Sequence, residues 1–340
     1  MSDLVVARPQ GLYCPPGDFY IDPWRPVQRA VVTHAHSDHA RTGHAHYLAT
    51  AQSERVLRQR LGDINLQCMH FGERLTHNGV TISLHPAGHV LGSAQVRLAY
   101  QGEVWVASGD YKLEEDGTCD PFEPVACNTF ITESTFGLPI YRWQPTAVLT
   151  AQINHWWAEN AAAGRASVLF CYAFGKAQRL LHGLDASIGP IVTHGAVANL
   201  NDVYRACGVA LPPSLPVGEL PPGAPLNRSI VLAPPSAQGT SWLKRFGTYT
   251  DAFASGWMLV RGARRRRGVD RGFVVSDHAD WPGLQRAIRG TGAERVFVTH
   301  GSVAVMVRWL EEQGYQAESF VTEYGDEDDA VEPHAGEVGA

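Results

Sequence analysis

Four residues with metal-ligating side chains lie within six positions of one another. They are His34, His36, Asp38 and His39, in the segment VVTHAHSDH that begins at Val31. Alternate residues of an extended chain point the same way, so His34 and His36 can face one point while Asp38 and His39 face a second. Imidazole and carboxylate suit zinc-like ions, and hydrolytic sites can hold two such ions about 3.5–4 Å apart. The spacing predicts a metal site for two ions rather than a polar loop with chance histidines.

A site for two ions needs further ligands from other parts of the chain. Three residues occupy suitable positions: His89 in PAGHVLGS, Asp110 in SGDYK and His300 after the apolar run VFVT. The glycines around His89 allow the backbone to come close to an ion, and a carboxylate at position 110 can bridge two ions. Taken singly, each is more often an ordinary hydrogen-bonded polar residue, but together with the first segment they predict a complete ligand set.

The tetrapeptide VTHG occurs twice, at 192–195 and at 298–301. Only the second copy is assigned to the metal site. His194 of the first copy lies in a region where helices and strands alternate, far in sequence from the other ligands, and is expected to be a strand-end residue.

The surrounding pattern predicts short strands up to about residue 135 and a helix–strand alternation from about 146. Alternating or β-branched runs bounded by Gly, Pro or Asn indicate strands, and the later alternation is typical of a parallel sheet. The Pro-rich segment 211–226 is expected to be an irregular surface loop. The predicted strands are 80–84, 94–100, 103–107, 167–172, 191–193, 272–275 and 295–299, and the predicted helices are 50–60, 146–163, 176–184 and 303–313.

Composition restricts the class of protein. The chain has 340 residues, of which 44% are hydrophobic and 18% charged, as in a folded protein of one large or two ordinary domains. No apolar run approaches the roughly 20 residues of a membrane span, and the N-terminus lacks the layout of a signal peptide. Six cysteines without a CxxC pair suggest reduced thiols. We therefore expect a cytoplasmic protein that does not enter a membrane.

The net charge of −6 comes from the C-terminus. Residues 323–340 hold seven acidic residues and no Lys or Arg, and without them 28 basic residues face 27 acidic ones. The remainder is close to neutral, so net charge does not exclude an anionic partner.

The combined motifs resemble a known superfamily. HAHSDH, PAGH and SGD resemble the metallo-β-lactamase superfamily, and ITESTFG (131–137), SDHAD (276–280) and VTHG (298–301) resemble the extra motifs of its β-CASP nuclease branch. The segment ASGWMLVRGARRRRGVDRGFVVSDHADW is similar to bacterial ligase-associated DNA exonucleases. The resemblance extends over about residues 8–325.

The resemblance implies a fold and a domain order. The expected class is α/β: an αββα metallo-β-lactamase sandwich formed by 1–137 and 272–325, with an α/β β-CASP domain inserted at 138–271. Residues 326–340 are expected to form a disordered acidic tail.

The resemblance also implies a role for each candidate residue. His34, His36 and His89 would hold one ion, Asp38, His39 and His300 the other, and Asp110 would bridge them. Asp22 in FYIDP would orient ligands from behind, although Asp18 is a rival and an ordinary Asp-Pro turn is the alternative. Glu133 would hold His278, whose imidazole could protonate the leaving oxygen or contact the scissile phosphate.

A run of arginines is the clearest basic feature. Such a run is commonly a solvated charged face, but its position directly before SDHAD favours contacts with phosphate. Lys176, at the start of a predicted helix, and Ser255, in a turn of small residues, are weaker candidates for the same role. The arginines are Arg261, Arg264, Arg265, Arg266, Arg267 and Arg271.

The motifs predict metal-dependent hydrolysis of phosphodiester bonds, and the resemblance to ligase-associated exonucleases implies that the protein is a DNA exonuclease. Two divalent ions are expected, with Zn2+ the first choice and Mn2+ accepted by the same ligands. The implied setting is DNA repair, in a pathway shared with an ATP-dependent DNA ligase and a helicase. Three alternatives remain: an RNA-processing β-CASP ribonuclease, a small-molecule metallo-hydrolase of the lactamase fold, and a non-catalytic nucleic-acid-binding module.

Overall fold

The computed structural model describes residues 3–115, 117–221 and 223–320. Their contacts divide the chain into two units. The first unit comprises residues up to 115, 119–142 and those from 278 onward, and the second comprises 116–118 and 143–277. The three sheets and seven α-helices found among these described residues confirm a mixed α/β protein. None of the helices in these described ranges is long and apolar enough to cross a membrane.

The elements follow one another along the chain in three stretches. The first unit begins with β1 (Val6–Arg8), β2 (Gly11–Cys14), β3 (Phe19–Ile21), β4 (Arg29–Val31), β5 (His46–Thr50), α1 (Glu54–Leu61), β6 (Leu66–Met69), β7 (Arg74–His77), β8 (Val80–Pro86), β9 (Ala94–Tyr100), β10 (Glu103–Ala107) and β11 (Thr129–Ser134). The second unit contains α2 (Thr146–Ala162), β12 (Ala166–Phe170), α3 (Lys176–His182), β13 (Ile191–Thr193), α4 (Gly195–Ala206), β14 (Leu215–Pro216), β15 (Ile230–Ala233), β16 (Tyr249–Ala254), α5 (Arg261–Arg267) and β17 (Arg271–Phe273). The first unit is completed by α6 (Trp281–Thr291), β18 (Arg295–Gly301), α7 (Val303–Glu312) and β19 (Gln316–Ser319).

The two sheets of the first unit share one hydrophobic core. One sheet has the order β1 to β6, and the other has the order β19-β18-β11-β10-β9-β8-β7. Val31 and Leu48 from the first sheet join Val96, Leu98 and Ile131 from the second in a single buried cluster. Burial of so many aliphatic side chains between the sheets is the main stabilising contribution to this unit.

The central strands of the second sheet are buried on both faces. Successive side chains of a strand point to opposite faces, so Ile131 faces the other sheet while Phe130 faces away from it. Phe130 belongs to a cluster with Leu284 and Ile288 of α6 and Met306 of α7. Helices therefore cover the outer face, and β10, β11 and β18 run parallel beneath them.

The second unit is built on a parallel sheet, as predicted. Its order is β14-β13-β15-β12-β16-β17, and every pair is parallel. All five residues of β12 are buried, the pattern of a strand covered on both faces. Trp156 and Trp157 of α2 pack into a hydrophobic cluster of this unit.

The sequence prediction was wrong in one segment. The Pro-rich stretch 211–226 was expected to lack regular structure, yet β14 pairs with β13. Pro216 is tolerated there because β14 lies at the edge of the sheet, where a missing N–H leaves no neighbouring strand unpaired. The predicted acidic tail, 326–340, lies outside the described residues.

The chain passes between the two units at residues 142–143 and 277–278. Residues 138–142 lie in the first unit, where the Tyr141 carbonyl accepts a hydrogen bond from the Trp281 amide at 3.1 Å. Residues 272–277 lie in the second unit, because β17 pairs with β16.

We expect Trp157→Ala to lower the free energy of unfolding by about 3–5 kcal/mol, because Trp157 is fully buried and its removal leaves a cavity. The change also removes the hydrogen bond from Trp157 Nε1 to the Arg228 carbonyl, 2.9 Å long. Urea denaturation followed by far-UV circular dichroism measures the loss.

The matched control is Val148→Ala on the same helix, since Val148 is 44% exposed. It should change stability by no more than about 0.5 kcal/mol. Equal losses in the two variants would contradict the packing assigned to Trp157.

Candidate metal centre

The carboxyl ends of three parallel strands bring the first candidates together. Asp110 follows β10 by three residues, Glu133 is the next-to-last residue of β11, and His300 is the next-to-last residue of β18. These strands are neighbours, so their carboxyl ends lie at one edge of the sheet. The loop 32–40 after β4 reaches the same edge, where the Ala94 amide donates a 2.8 Å hydrogen bond to the Thr33 carbonyl.

Four of the predicted ligands form one cluster: His34, His36, His89 and Asp110, whose ligand atoms all lie within 4.8 Å of one another. The Nδ1 atom of His36 is 3.0 Å from the Nε2 atoms of both His34 and His89. Asp110 Oδ2 lies 3.5 Å from His34 Nε2 and 3.7 Å from His89 Nε2. A convergent set of imidazole nitrogens and one carboxylate oxygen is a ligand set that zinc-like ions accept.

A second cluster contains Asp38, His39 and again Asp110. His39 Nε2 lies 3.4 Å from Asp38 Oδ2 and 3.4 Å from Asp110 Oδ2. Asp110 thus belongs to both clusters, the position expected of a bridging carboxylate.

His300 lies beside the second cluster but does not converge with it as closely. Its ring centroid is 5.8 Å from that of His39, and it shares the lining of a cavity with Asp38, His39 and Asp110. The backbone at His300 has a φ of 49° and is followed by Gly301 at 76°. A Cβ at position 301 would meet the Ser134 carbonyl oxygen at 2.3 Å, so only glycine fits after this histidine.

Burial and charge act in opposite directions on the imidazoles. Burial by itself would lower the pKa of His39, but three carboxylates outweigh burial and hold that pKa well above its usual value. Burial, together with the positive charge of His39, holds the pKa of His34 well below its usual value. The three carboxylates are those of Asp110, Asp38 and Asp22. Such a concentration of buried negative charge favours the binding of cations.

Asp22 holds His39 by a hydrogen bond on the side of the ring away from Asp38 and Asp110. Its Oδ2 lies 2.7 Å from His39 Nδ1, so His39 donates from Nδ1 and directs Nε2 toward Asp38 and Asp110. Asp22 also accepts hydrogen bonds from the Thr33 amide at 2.8 Å and the Thr33 hydroxyl at 2.5 Å. The rival Asp18 instead accepts a bond from the Tyr13 hydroxyl at 2.9 Å.

Buried Glu133 and partly exposed His278 form a pair next to Asp110, and the three residues make the third convergent cluster. His278 Nδ1 lies 2.8 Å from Glu133 Oε2. The same carboxylate accepts the Tyr111 amide at 2.8 Å and the Thr135 hydroxyl at 2.6 Å. Three donors fix an acid side chain that is 1% exposed, and Nε2 of His278 faces away from it.

Sequence reasoning assigned no role to the threonines that support these side chains. Thr33 and Thr299 each precede a predicted ligand, and each places its hydroxyl 3.1 Å from Nδ1 of the next histidine. In the other VTHG copy the buried Thr193 hydroxyl has no hydrogen-bond partner among the described residues, and His194 Nδ1 accepts the Ala196 amide at 3.1 Å. The threonine supports the following histidine in one VTHG segment and not in the other. The local sequence therefore could not have identified the supporting threonines.

The structure does not bring two predicted nucleic-acid contacts to the surface. Lys176 is 4% exposed, with Nζ 3.2 Å from Asp277 Oδ2 and 4.4 Å from the Tyr172 ring. Ser255 is 2% exposed and caps a short 3-10 turn by accepting the Trp257 amide. Because both side chains are buried, they support the second unit and are not available to a nucleic acid. Most of the arginine run, by contrast, is exposed.

Comparison with known proteins gives partial matches. The chain is 34% identical over 313 residues to a protein of Opitutus terrae named "Probable DNA ligase", across 90% of this chain and 30% of that protein. It is 26% identical to an RNase J-like protein of Methanocaldococcus jannaschii, across 42% of this chain and 36% of the relative. It is 28% identical to cleavage and polyadenylation specificity factor subunit 3 of Dictyostelium discoideum, across 35% of this chain and 16% of the relative. No family model matches the chain.

The chain spans between 16% and 36% of the length of these relatives. Among solved structures, a protein of unknown function from Enterococcus faecalis has a TM-score of 0.57, with 87% of this chain and 79% of that chain covered. At 11% identity this similarity concerns the fold alone.

We expect Asp110→Asn to lose zinc from both clusters, because it removes the one carboxylate that both share. His36→Ala should lose zinc from the first cluster and retain about one ion per chain. The measurement is the ratio of zinc to protein by mass spectrometry after dialysis against buffered zinc.

His194→Ala serves as the control. It removes a histidine from the first VTHG segment, which contributes no residue to either cluster. Its zinc content should equal that of the parent protein. Full zinc retention by Asp110→Asn would contradict the assignment of Asp110 as the shared ligand.

Proposed function

Because the chain is a relative of the β-CASP nucleases of the metallo-β-lactamase superfamily, we propose that it is a metal-dependent phosphodiesterase that degrades DNA. The observation that carries the proposal is the arrangement around Asp110. Two ligand clusters share this carboxylate, and the Glu133–His278 pair adjoins it. This combination provides both a site for cations and a group able to move a proton, which phosphodiester hydrolysis requires.

The proposal includes the fold assignment. We assign the first unit to the αββα sandwich and the second to the β-CASP domain. Two sheets around one core, with α6 and α7 on the outer face, support the first assignment. A unit with its own parallel sheet, lying in sequence between Arg142 and His278, supports the second.

The cations would be held by residues of both clusters. His34, His36 and His89 would hold one ion, Asp38, His39 and His300 the other, with Asp110 between them. The nitrogen-rich ligand set favours Zn2+, and Mn2+ is accepted by the same ligands. When bound, such ions stabilise the negative charge that develops on the phosphate during hydrolysis.

The chain's own proton carrier in this proposal is His278. The Glu133 carboxylate accepts a hydrogen bond from Nδ1–H of His278. This bond orients the ring and stabilises the imidazolium form. A protonated Nε2 can then donate to the departing oxygen of the phosphodiester. Because Tyr111 and Thr135 hold the Glu133 carboxylate, the donor is positioned before substrate arrives.

DNA is proposed as the substrate because of the similarity to ligase-associated exonucleases and to the relative named as a DNA ligase. The same similarity supports stepwise trimming of DNA during repair, in a pathway that includes an ATP-dependent ligase and a helicase. RNA is the second candidate, since two of the other relatives are named for RNA processing or RNase J. A small-molecule hydrolase has no evident use for the Glu133–His278 pair or for the second unit.

The direct test is a zinc-loaded nuclease assay on single-stranded DNA and RNA of matched sequence, each labelled at one end. We expect stepwise shortening of DNA and survival of RNA, with no cleavage by His36→Ala. Preferential cleavage of RNA would overturn the DNA assignment, and zinc-loaded protein that cleaves neither would overturn the nuclease assignment.

A second test separates proton donation from other roles of the pair. We expect His278→Ala to slow DNA hydrolysis by about 10²–10⁴-fold, the usual contribution of a general acid. Hydrolysis of bis(p-nitrophenyl) phosphate should fall far less, because its leaving group departs without a proton. Thr135→Val should act in the same direction and more weakly, since it removes one of three donors to Glu133.

The control for this test is Thr81→Val, a threonine on β8 outside the clusters. It should leave the rates on both substrates unchanged. If His278→Ala slowed both substrates equally, proton donation to the leaving oxygen would be ruled out as its role.

A further inference from the structure

The division into two units is also a division of charge. The second unit, residues 116–118 and 143–277, contains 13 Lys and Arg and 8 Asp and Glu, a net charge of +5, although the whole chain has −6. The remaining residues therefore carry −11. A positive charge of this kind favours the binding of an anionic partner to the second unit.

Six arginines in and after α5 supply much of this charge, and the structure sorts them into two sets. Three have defined partners within the second unit. Arg264 Nη2 donates a 3.0 Å hydrogen bond to the Met258 carbonyl. The guanidinium groups of Arg267 and Arg271 lie 4.3 Å and 4.8 Å from the ring centroids of Phe253 and Phe273. Arg267 packs α5 against β16, Arg264 ties α5 to the preceding 3-10 turn, and Arg271 lies along its own strand, β17.

Arg261, Arg265 and Arg266 form the second set. All three are exposed, and within the described chain no carboxylate lies within ion-pair distance of them. Arg261 and Arg265 are one helical turn apart, where like charges destabilise a helix. The helix dipole accounts for basic residues in the last turn but not for Arg261 in the first.

We propose that Arg261, Arg265 and Arg266 form a contact site for the phosphate backbone of a nucleic acid, here called the arginine patch. The inference deepens the proposed function and rests on it. Guanidinium groups donate paired hydrogen bonds to phosphate oxygens, and a chain of phosphates relieves the repulsion among three neighbouring cations. The patch has no aromatic partner of its own, so its contribution to binding is electrostatic and independent of base sequence.

The test is the salt dependence of binding. A fluorescent 20-nucleotide oligothymidylate is titrated with zinc-loaded protein carrying His278→Ala, which is expected to slow hydrolysis enough for binding to reach equilibrium. Each phosphate contact contributes about 0.7 to the slope of log affinity against log salt for a single strand. The triple variant Arg261→Ala, Arg265→Ala, Arg266→Ala should therefore have a slope smaller by about 2, and the affinity difference from the parent should shrink by about 20-fold between 50 and 200 mM KCl.

Two control variants make the result specific to the patch. Arg29→Ala, Arg55→Ala, Arg74→Ala removes the same charge from exposed positions of the first unit and should leave the slope near that of the parent. Arg261→Lys, Arg265→Lys, Arg266→Lys keeps the charge and should retain most of the slope.

An unchanged slope in the alanine variant of the patch would overturn the inference, as would an equal decrease in the first-unit variant. Either result, with DNA still bound by the parent and cleaved by the protein that keeps His278, would leave the proposed function standing. A parent protein that binds no oligonucleotide at low salt would instead overturn the proposed function itself.

Discussion

The Asp110 carboxylate is the group on which the rest of the candidate site depends. It lies within 3.7 Å of an imidazole nitrogen of His34, His39 and His89, and it also belongs to the cluster with Glu133 and His278. Burial would raise its pKa, but the neighbouring cationic imidazoles, His39 first among them, hold the pKa well below its usual value. A buried carboxylate that stays ionised is stable only when neighbouring cationic or hydrogen-bond-donating groups balance its charge.

Two histidines near that carboxylate are held by the same arrangement of hydrogen bonds. His39 and His278 each present Nδ1 to a carboxylate behind them, Asp22 and Glu133, at 2.7 and 2.8 Å. Each of these carboxylates is in turn fixed by a threonine hydroxyl and a backbone amide. The shared geometry fixes the orientation of both rings and directs Nε2 away from the supporting carboxylate. Holding functional side chains by such supporting hydrogen bonds reduces the entropy lost when substrate or metal binds.

The two units divide the chemical tasks of the proposed enzyme. The first unit contains all three convergent clusters of the described chain, and it owes their position to the ends of strands in a sheet that is buried on both faces. The second unit carries the excess of positive charge, and buried ion pairs within it join Lys176 and Arg179 of α3 to Asp277. A buried base therefore serves structure, whereas an exposed and unpaired one is available to a partner.

The sequence alone determined the metal ligands as candidates, the pairing of Glu133 with His278 through family resemblance, and the strands 94–100, 103–107 and 191–193. The strands and the ligands of the segment 34–39 are local features, because strand periodicity and ligand spacing act within a few residues. Tertiary structure alone decided that Lys176 is buried beside Asp277, that Pro216 lies in an edge strand, and that Thr33 and Thr299 support histidines while Thr193 does not. Each of these depends on what a distant segment brings to the residue, and a tetrapeptide such as VTHG has the same local preferences wherever it stands. Convergence on Asp110 is likewise a property of the folded chain, since its partners come from positions between 34 and 278 that only the sheet edge brings together.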